Sequence, residues 1–167
     1  MEVQGNAGPI GAPALTVPST ISYSVGQIIA QSATAASCSA IPVAAARLAD
    51  KTGHIRRVRL KSDDISGLAG KIVRVHAFKN APTFANGNGG AFAGGLTESD
   101  HIGYVDVTLD LTFSDFVKGE DVPSRGSELT FDPAPGTQNI FLVFEARSAI
   151  TSGTGKKLTA VLEVFQN

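Results

Sequence analysis

Three histidines, one cysteine and three small groups of acids are the residues of this chain with the chemistry to bind metal or move protons. His54, His76 and His101 share no H-x-H or H-x-x-x-H spacing, and Cys38 is the only thiol. Zinc needs three or four convergent ligands, so the spacing favours no metal centre, and the histidines read as polar surface or rim residues. Cys38 has no His or Lys near it in sequence and reads as a small buried residue rather than a nucleophile. The pairs Asp63-Asp64 and Glu120-Asp121, and the group Glu98, Ser99 and Asp100, offer carboxylates for calcium or for acid–base work. Calcium loops space their ligands around a tight turn, whereas adjacent acids on a strand point apart, so these groups read as solvated turns. No Gly-x-Ser-x-Gly nucleophile elbow is present. The chain is expected to be no enzyme and to hold no cofactor or metal.

Two further stretches invite a ligand. The run Ala85-Asn86-Gly87-Asn88-Gly89-Gly90-Ala91-Phe92-Ala93-Gly94-Gly95 is glycine-rich like a phosphate loop, but a strand pattern follows it rather than a helix, and the Lys-Ser/Thr offset is missing. It reads as a long inter-strand loop. The basic stripe Arg56, Arg57, Arg59 and Lys61 carries no interleaved aromatics of the kind that stack on single-stranded nucleic acid. It reads as an exposed strand face or as a contact to an acidic protein surface.

The elements that must position these residues follow a period of two. Gly53 to Lys61 sets Val58 and Leu60 against Arg57, Arg59 and Lys61; Lys71 to Phe78 sets Val73, Val75 and Ala77 against Ile72, Arg74, His76 and Phe78. His101 to Leu111 places Val105, Val107, Leu109 and Leu111 on one face. Asn139 to Ala146 is apolar on both faces at first, and Leu158 to Phe165 turns Leu158, Ala160, Leu162 and Val164 inward. Shorter strands are expected at Gly26 to Ala30, Ile41 to Arg47 and Glu128 to Phe131, and a helical turn or two at Thr112 to Lys118. Seven or eight strands with little helix indicate an all-β protein, a β-sandwich of jelly-roll type.

Charge is distributed unevenly. The first 46 residues hold one charged side chain, Glu2, although the whole chain of 167 residues has 14 Lys and Arg and 15 Asp and Glu. A secretory signal needs a basic start and a continuous apolar run, and a spanning helix about 20 predominantly apolar residues. Gly5, Gly8, Pro9, Gly11, Pro13 and Pro18 interrupt the first pattern, and Gln27, Gln31, Ser32 to Ser39 and Pro42 the second. The remaining readings are a disordered tail, or an extended arm over residues 1–21 leading into a sandwich domain over 22–167. On the arm reading, Ile10, Leu15, Val17 and Ile21 are apolar anchors covered by a neighbour, and residues 2 to 20 are dispensable for folding. Residues 47–79 are basic and 80–145 acidic, two lobes that can attract one another within the fold or between copies. A net charge of −1 gives no general pull toward nucleic acid or membrane.

The order of pieces then becomes informative. Ser22-Tyr23-Ser24-Val25-Gly26-Gln27-Ile28-Ile29 precedes Pro42-Val43-Ala44-Ala45-Ala46-Arg47 and a Gly53-His54-Ile55 strand entry. Val75-His76-Ala77-Phe78-Lys79-Asn80-Ala81-Pro82-Thr83-Phe84-Ala85-Asn86-Gly87-Asn88 follows, then Ala91-Phe92, Glu98-Ser99-Asp100 and Ile102-Gly103-Tyr104-Val105. Over residues 22 to 165 this resembles a family of small tailed-phage structural proteins, the capsid decoration or cement proteins. One departure stands out: the aspartate of that family's Asp-Asn-Ala-Ala-Phe version is replaced by Gly87-Asn88-Gly89-Gly90-Ala91-Phe92. The resemblance implies a homotrimer of jelly-roll domains on the capsid exterior, binding the major capsid protein, with a host-cytoplasmic stage during assembly and neither nucleic acid nor membrane as partner. Ile10, Leu15, Val17 and Ile21 of the arm, and Arg56, Arg57, Arg59 and Lys61 of the stripe, are the expected contacts. The alternatives are a receptor- or carbohydrate-binding sandwich of a tail or fibre, for which the chain is poor in stacking rings (no Trp, two Tyr), and a cupin-like metal enzyme.

Overall fold

The alternating segments form strands of two facing sheets. The computed structural model describes residues 6–92, 100–123 and 128–166; Ala93, Gly94, Gly95, Glu98 and Ser99 of the stretches above lie outside the described residues. The strands are β1 (Asn6–Gly11), β2 (Leu15–Thr16), β3 (Ile21–Tyr23), β4 (Ile28–Ile29), β5 (Ile41–Ala44), β6 (Gly53–Ser62), β7 (Ile72–Phe78), β8 (His101–Thr108), β9 (Leu111–Thr112), β10 (Val117–Asp121), β11 (Leu129–Phe131), β12 (Asn139–Ala146), β13 (Ile150–Ser152) and β14 (Lys157–Gln166). Among the described residues one short α-helix, α1 (Ile65–Leu68), follows β6, and a 3-10 turn spans Ala35–Ser37.

Several short strands share one line of a sheet. β1 and β2 both lie along β14, β4 and β5 along β12, and β10 and β11 along β6. The first sheet therefore runs β1/β2–β14–β6–β10/β11, with β9 outside β10, and the second runs β4/β5–β12–β7–β8. With each line counted as one strand, and β3, β9 and β13 set aside, the described residues form eight, paired first with eighth, second with seventh, third with sixth and fourth with fifth, all antiparallel. That nested pairing is a long hairpin rolled on itself, the jelly roll. β3 and β13 pair separately beside it.

Between the sheets lies one core. Val58 and Leu60, Val73, Val75 and Ala77, Val105 and Val107, Ile140, Leu142 and Phe144, and the inward row Leu158, Ala160, Leu162 and Val164 are all buried there. Gly119 faces the same interior, where a Cβ would strike the Thr108 carbonyl of the opposite sheet, so only glycine fits that point of β10.

The N-terminal residues are part of this body. β1 pairs with β14 from Asn6↔Gln166 to Gly11↔Val161, and Pro9 is accommodated because β1 is an edge strand. Leu15 and Val17 are 5% and 3% exposed, and Ile10 and Ile21 pack against the same core. For Leu15 and Val17 the expectation of apolar anchors awaiting a neighbour is thus corrected, since the chain's own sheets bury them, whereas Ile10 and Ile21 are covered only in part. The cause is the partner strand, β14, which lies at the other end of the chain and leaves no trace in the local pattern.

Elsewhere the differences are small. β5 ends at Ala44, and the expected helical turn at Thr112 to Lys118 is instead the β9–β10 hairpin, closed by Phe113 N–H donating to the Phe116 carbonyl at 2.8 Å. Leu111, expected inward, is exposed, because Leu109 is the last residue of its run to reach the core. Asp64 is buried rather than solvated. Its Oδ1 accepts from Gly67 N at 3.1 Å as the N-cap of α1, and its Oδ2 accepts from Ser152 Oγ at 2.7 Å and Gly153 N at 3.1 Å.

Candidate functional site

The chemistry-bearing residues gather on the outer face of the second sheet. β7 turns Val73, Val75 and Ala77 into the core, so Arg74 and His76 stand on the opposite face. Register then brings Glu145 of β12 and Asp106 of β8 into one row with Arg74, and Tyr104 of β8 beside His76. Arg74 donates through Nε and Nη2 to the two Asp106 oxygens at 2.6 and 2.8 Å, and its guanidinium lies 3.8 Å from the Tyr104 ring centroid. This two-pronged bond holds the Asp106 carboxyl below its ordinary range and raises Arg74.

His76 is enclosed. Its Nε2 donates to Glu145 Oε2 at 2.8 Å, its Nδ1 lies 3.1 Å from His101 Nε2, and Arg147 donates to Glu145 Oε1 at 3.0 Å. Burial, opposed in part by the Glu145 hydrogen bond, pushes His76 down to about 4, and burial likewise lowers His101. His76 is therefore neutral at pH 7, with Nδ1 accepting from the His101 Nε2–H, since the carboxylate on the other side only accepts.

The roof over His76 is the glycine-rich segment. The Phe92 ring stacks on His76 with centroids 4.2 Å apart and planes 13° from parallel. Residues 86–92 run along β4, with Ile28 N donating to Gly90 O and Phe92 N to Gly26 O, both at 2.8 Å. Asn88 is the anchor: its Oδ1 accepts from Tyr23 Oη at 2.8 Å and from Ala30 N at 2.9 Å, both buried. Gly87 lies directly against the Ala33 carbonyl, and Gly89, at φ +78°, lies against Ile21. The glycines thus let a loop pack flat on the sheet, and the amides of Asn88, Gly89 and Gly90 are spent on carbonyls of the chain itself.

A carboxylate–imidazole–imidazole chain resembles a proton relay, but both ring nitrogens of His76 are committed to protein partners. Among the described residues, no group of three or more His, Cys, Asp or Glu is placed to hold a metal ion. What the arrangement does is lock β7, β8, β12 and the 86–92 loop together. Local sequence spacing missed it because residues 76, 101 and 145 come from three strands. The available signal was the alternation in β7, which puts Arg74 and His76 together on a face opposite the core.

The basic stripe occupies the outer face of the first sheet. Register on β14 shifts between Glu163 and Val164, leaving Arg56 as a bulged residue, which is how consecutive Arg56 and Arg57 both point outward. Arg56 lies 3.0 Å from Glu128, Arg57 3.3 Å from Glu120 and 3.6 Å from Glu163, and Arg59 3.1 and 3.4 Å from the same two acids. The two charged lobes therefore meet within the fold. Lys61 differs: its ammonium lies 4.1 Å from the Phe116 ring centroid.

No protein-family model and no curated protein matches the chain. Among solved structures it is similar to the Cyanophage Pam1 capsid asymmetric unit, at 11% identity and TM-score 0.35, covering 100% of this chain and 89% of that one. It is also similar to Desmodium yellow mottle tymovirus, at 10% identity and TM-score 0.28, covering 98% and 83%. A third is a mud crab tombus-like virus, at 10% identity and TM-score 0.27, covering 98% and 90%. Likeness at this level carries no argument about function.

Proposed function

We propose that this chain is a structural, non-enzymatic protein of a virus particle. Within that class we read it as a capsid decoration protein: a homotrimer on the exterior of a phage head that binds the major capsid protein lattice and stiffens it. The observation that carries the reading is the nested eight-strand pairing of a jelly roll in a chain bearing the Phe78-to-Phe92 motif. Jelly rolls build viral shells and also lectins and cupins, so the architecture argues by analogy and the motif selects among these. A rigid body whose polar cluster locks loop to sheet suits a part that must transmit load. Many copies on a repeating lattice gain by avidity even where each contact is weak.

The test is reconstitution. Purified chain is mixed with heads of its virus that lack it, and bound protein is measured by sedimentation alongside the temperature at which the heads release DNA. Saturable binding with a raised release temperature is expected. Failure to co-sediment at any concentration would overturn the reading.

A further inference from the structure

At one end of the first sheet's outer face, two lysines have no ion pair with a carboxylate among the described residues. Lys61 and Lys118 are cross-strand partners in the β6–β10 register, so two ammonium-bearing residues stand directly opposite on one face. Like charges so placed repel. Among the described residues, neither lysine reaches a carboxylate at ion-pair distance, whereas Arg56, Arg57 and Arg59 of the same β6 all do. Lys118 Nζ is 5.5 Å from the Phe113 ring, which stacks on Phe116 at 4.5 Å, and Lys61 sits over Phe116.

Apolar surface adjoins the two cations. Leu111 is 47% and Phe113 44% exposed, both at or beside β9, the outermost strand of the sheet. A cleft of about 280 Å³ runs between Arg59, Leu111, Lys118, Gly119 and Glu120. Asp110 and Asp115 flank the hairpin. With Glu120 they oppose a continuous polyanion such as nucleic acid, which limits a fitting partner to a short segment with one or two carboxylates beside an apolar side chain.

We propose that this lysine–phenylalanine ridge docks an acidic, apolar-bearing segment of the shell protein, its carboxylates on Lys61 and Lys118 and its apolar group against Leu111 and Phe113. This deepens the decoration reading and rests on it. The repulsion that the folded chain tolerates between Lys61 and Lys118 is relieved when the partner's negative charge arrives.

Two experiments test it. Zero-length carbodiimide cross-linking of native particles joins amines to carboxylates in contact, and mass spectrometry should find Lys61 or Lys118 linked to Asp or Glu of the shell protein. Links from these lysines only to this chain, in the same or a second copy, or shell links only from other lysines, would overturn the ridge and leave decoration standing. Absence of the chain from particles would overturn both. Separately, Lys61→Glu and Lys118→Glu each turn the like-charged pair into an opposite one. Each variant should melt no lower than the parent yet bind heads about tenfold more weakly. Unchanged binding by both would contradict the proposal.

Discussion

The Tyr23 hydroxyl donates a buried 2.8 Å hydrogen bond to Oδ1 of Asn88, 65 residues further along the chain. Burial is the main reason that the Tyr23 hydroxyl is pushed up to about 12, so it remains a donor at every ordinary pH. The same oxygen accepts from Ala30 N, so one asparagine ties β3, the strand line of β4 and the glycine-rich loop together.

Asn88→Ala strands two buried donors at once. With each unpaired group costing about 1–3 kcal/mol, the variant should lose about 2–6 kcal/mol in urea denaturation. Tyr23→Phe removes one donor and leaves the Ala30 bond, so its loss should be smaller, about 1 kcal/mol. Equal losses for the two variants would contradict the shared-acceptor account.

The N-terminal residues should be required for folding. Deleting residues 2 to 20 removes β1 and β2 from the edge of β14 and takes Ala12, Leu15 and Val17 out of the core. The truncated chain should lose its cooperative thermal transition. Leu15→Ala alone should cost about 2–4 kcal/mol. A truncated chain with the parent's melting temperature would contradict the pairing.

Stability should depend on pH through His76. In the unfolded chain the imidazole titrates near its ordinary 6.5, and in the folded chain near 4. Between these values the unfolded state binds the extra proton, so stability is full above pH 6.5 and falls as pH drops toward 4. The slope is at most about 1.4 kcal/mol per pH unit for each such proton. His101, lowered in the same direction, adds to it. Asp106 acts later: its carboxyl is held below 3.8, so its contribution is present above that value and is lost only as pH falls through the depressed one. Urea midpoints at pH 7.5, 5.5 and 4.5 should decline in that order, and His76→Gln should flatten the decline.

The half-exposed arginine–glutamate network should matter little to stability. Arg57→Ala or Arg59→Ala should change it by less than about 1 kcal/mol, because exposed pairs are well screened. Thermal melts in low and high salt check this, and any difference should shrink as salt rises.

How much of this was legible in the sequence depended on whether the signal was local. β6, β7, β8 and β14 each announce themselves by alternation and β12 by a continuous apolar run, and with five such strands the all-β sandwich follows. The place of Leu15 and Val17 was not legible, because an uncharged Gly/Pro-rich stretch looks the same whether its partner is a neighbour or the chain's own β14. The same holds for His76, Glu145 and His101, which only register brings together. Arg56 and Arg57 break the alternation of β6, and that break was a readable sign of the bulge. Asn88 sat inside a motif noticed for its glycines, and its buried acceptor role could not be inferred without knowing what lay beneath it.

In the proposed role this jelly roll is a fixed part of the outer shell, and cryo-electron microscopy of purified native particles is the decisive measurement. The account predicts trimeric density on the exterior, at three-fold and quasi-three-fold positions, into which the two-sheet body fits with β9–β10 against the shell protein. A shell with no such density, in particles from which peptides of this chain are absent, would contradict it.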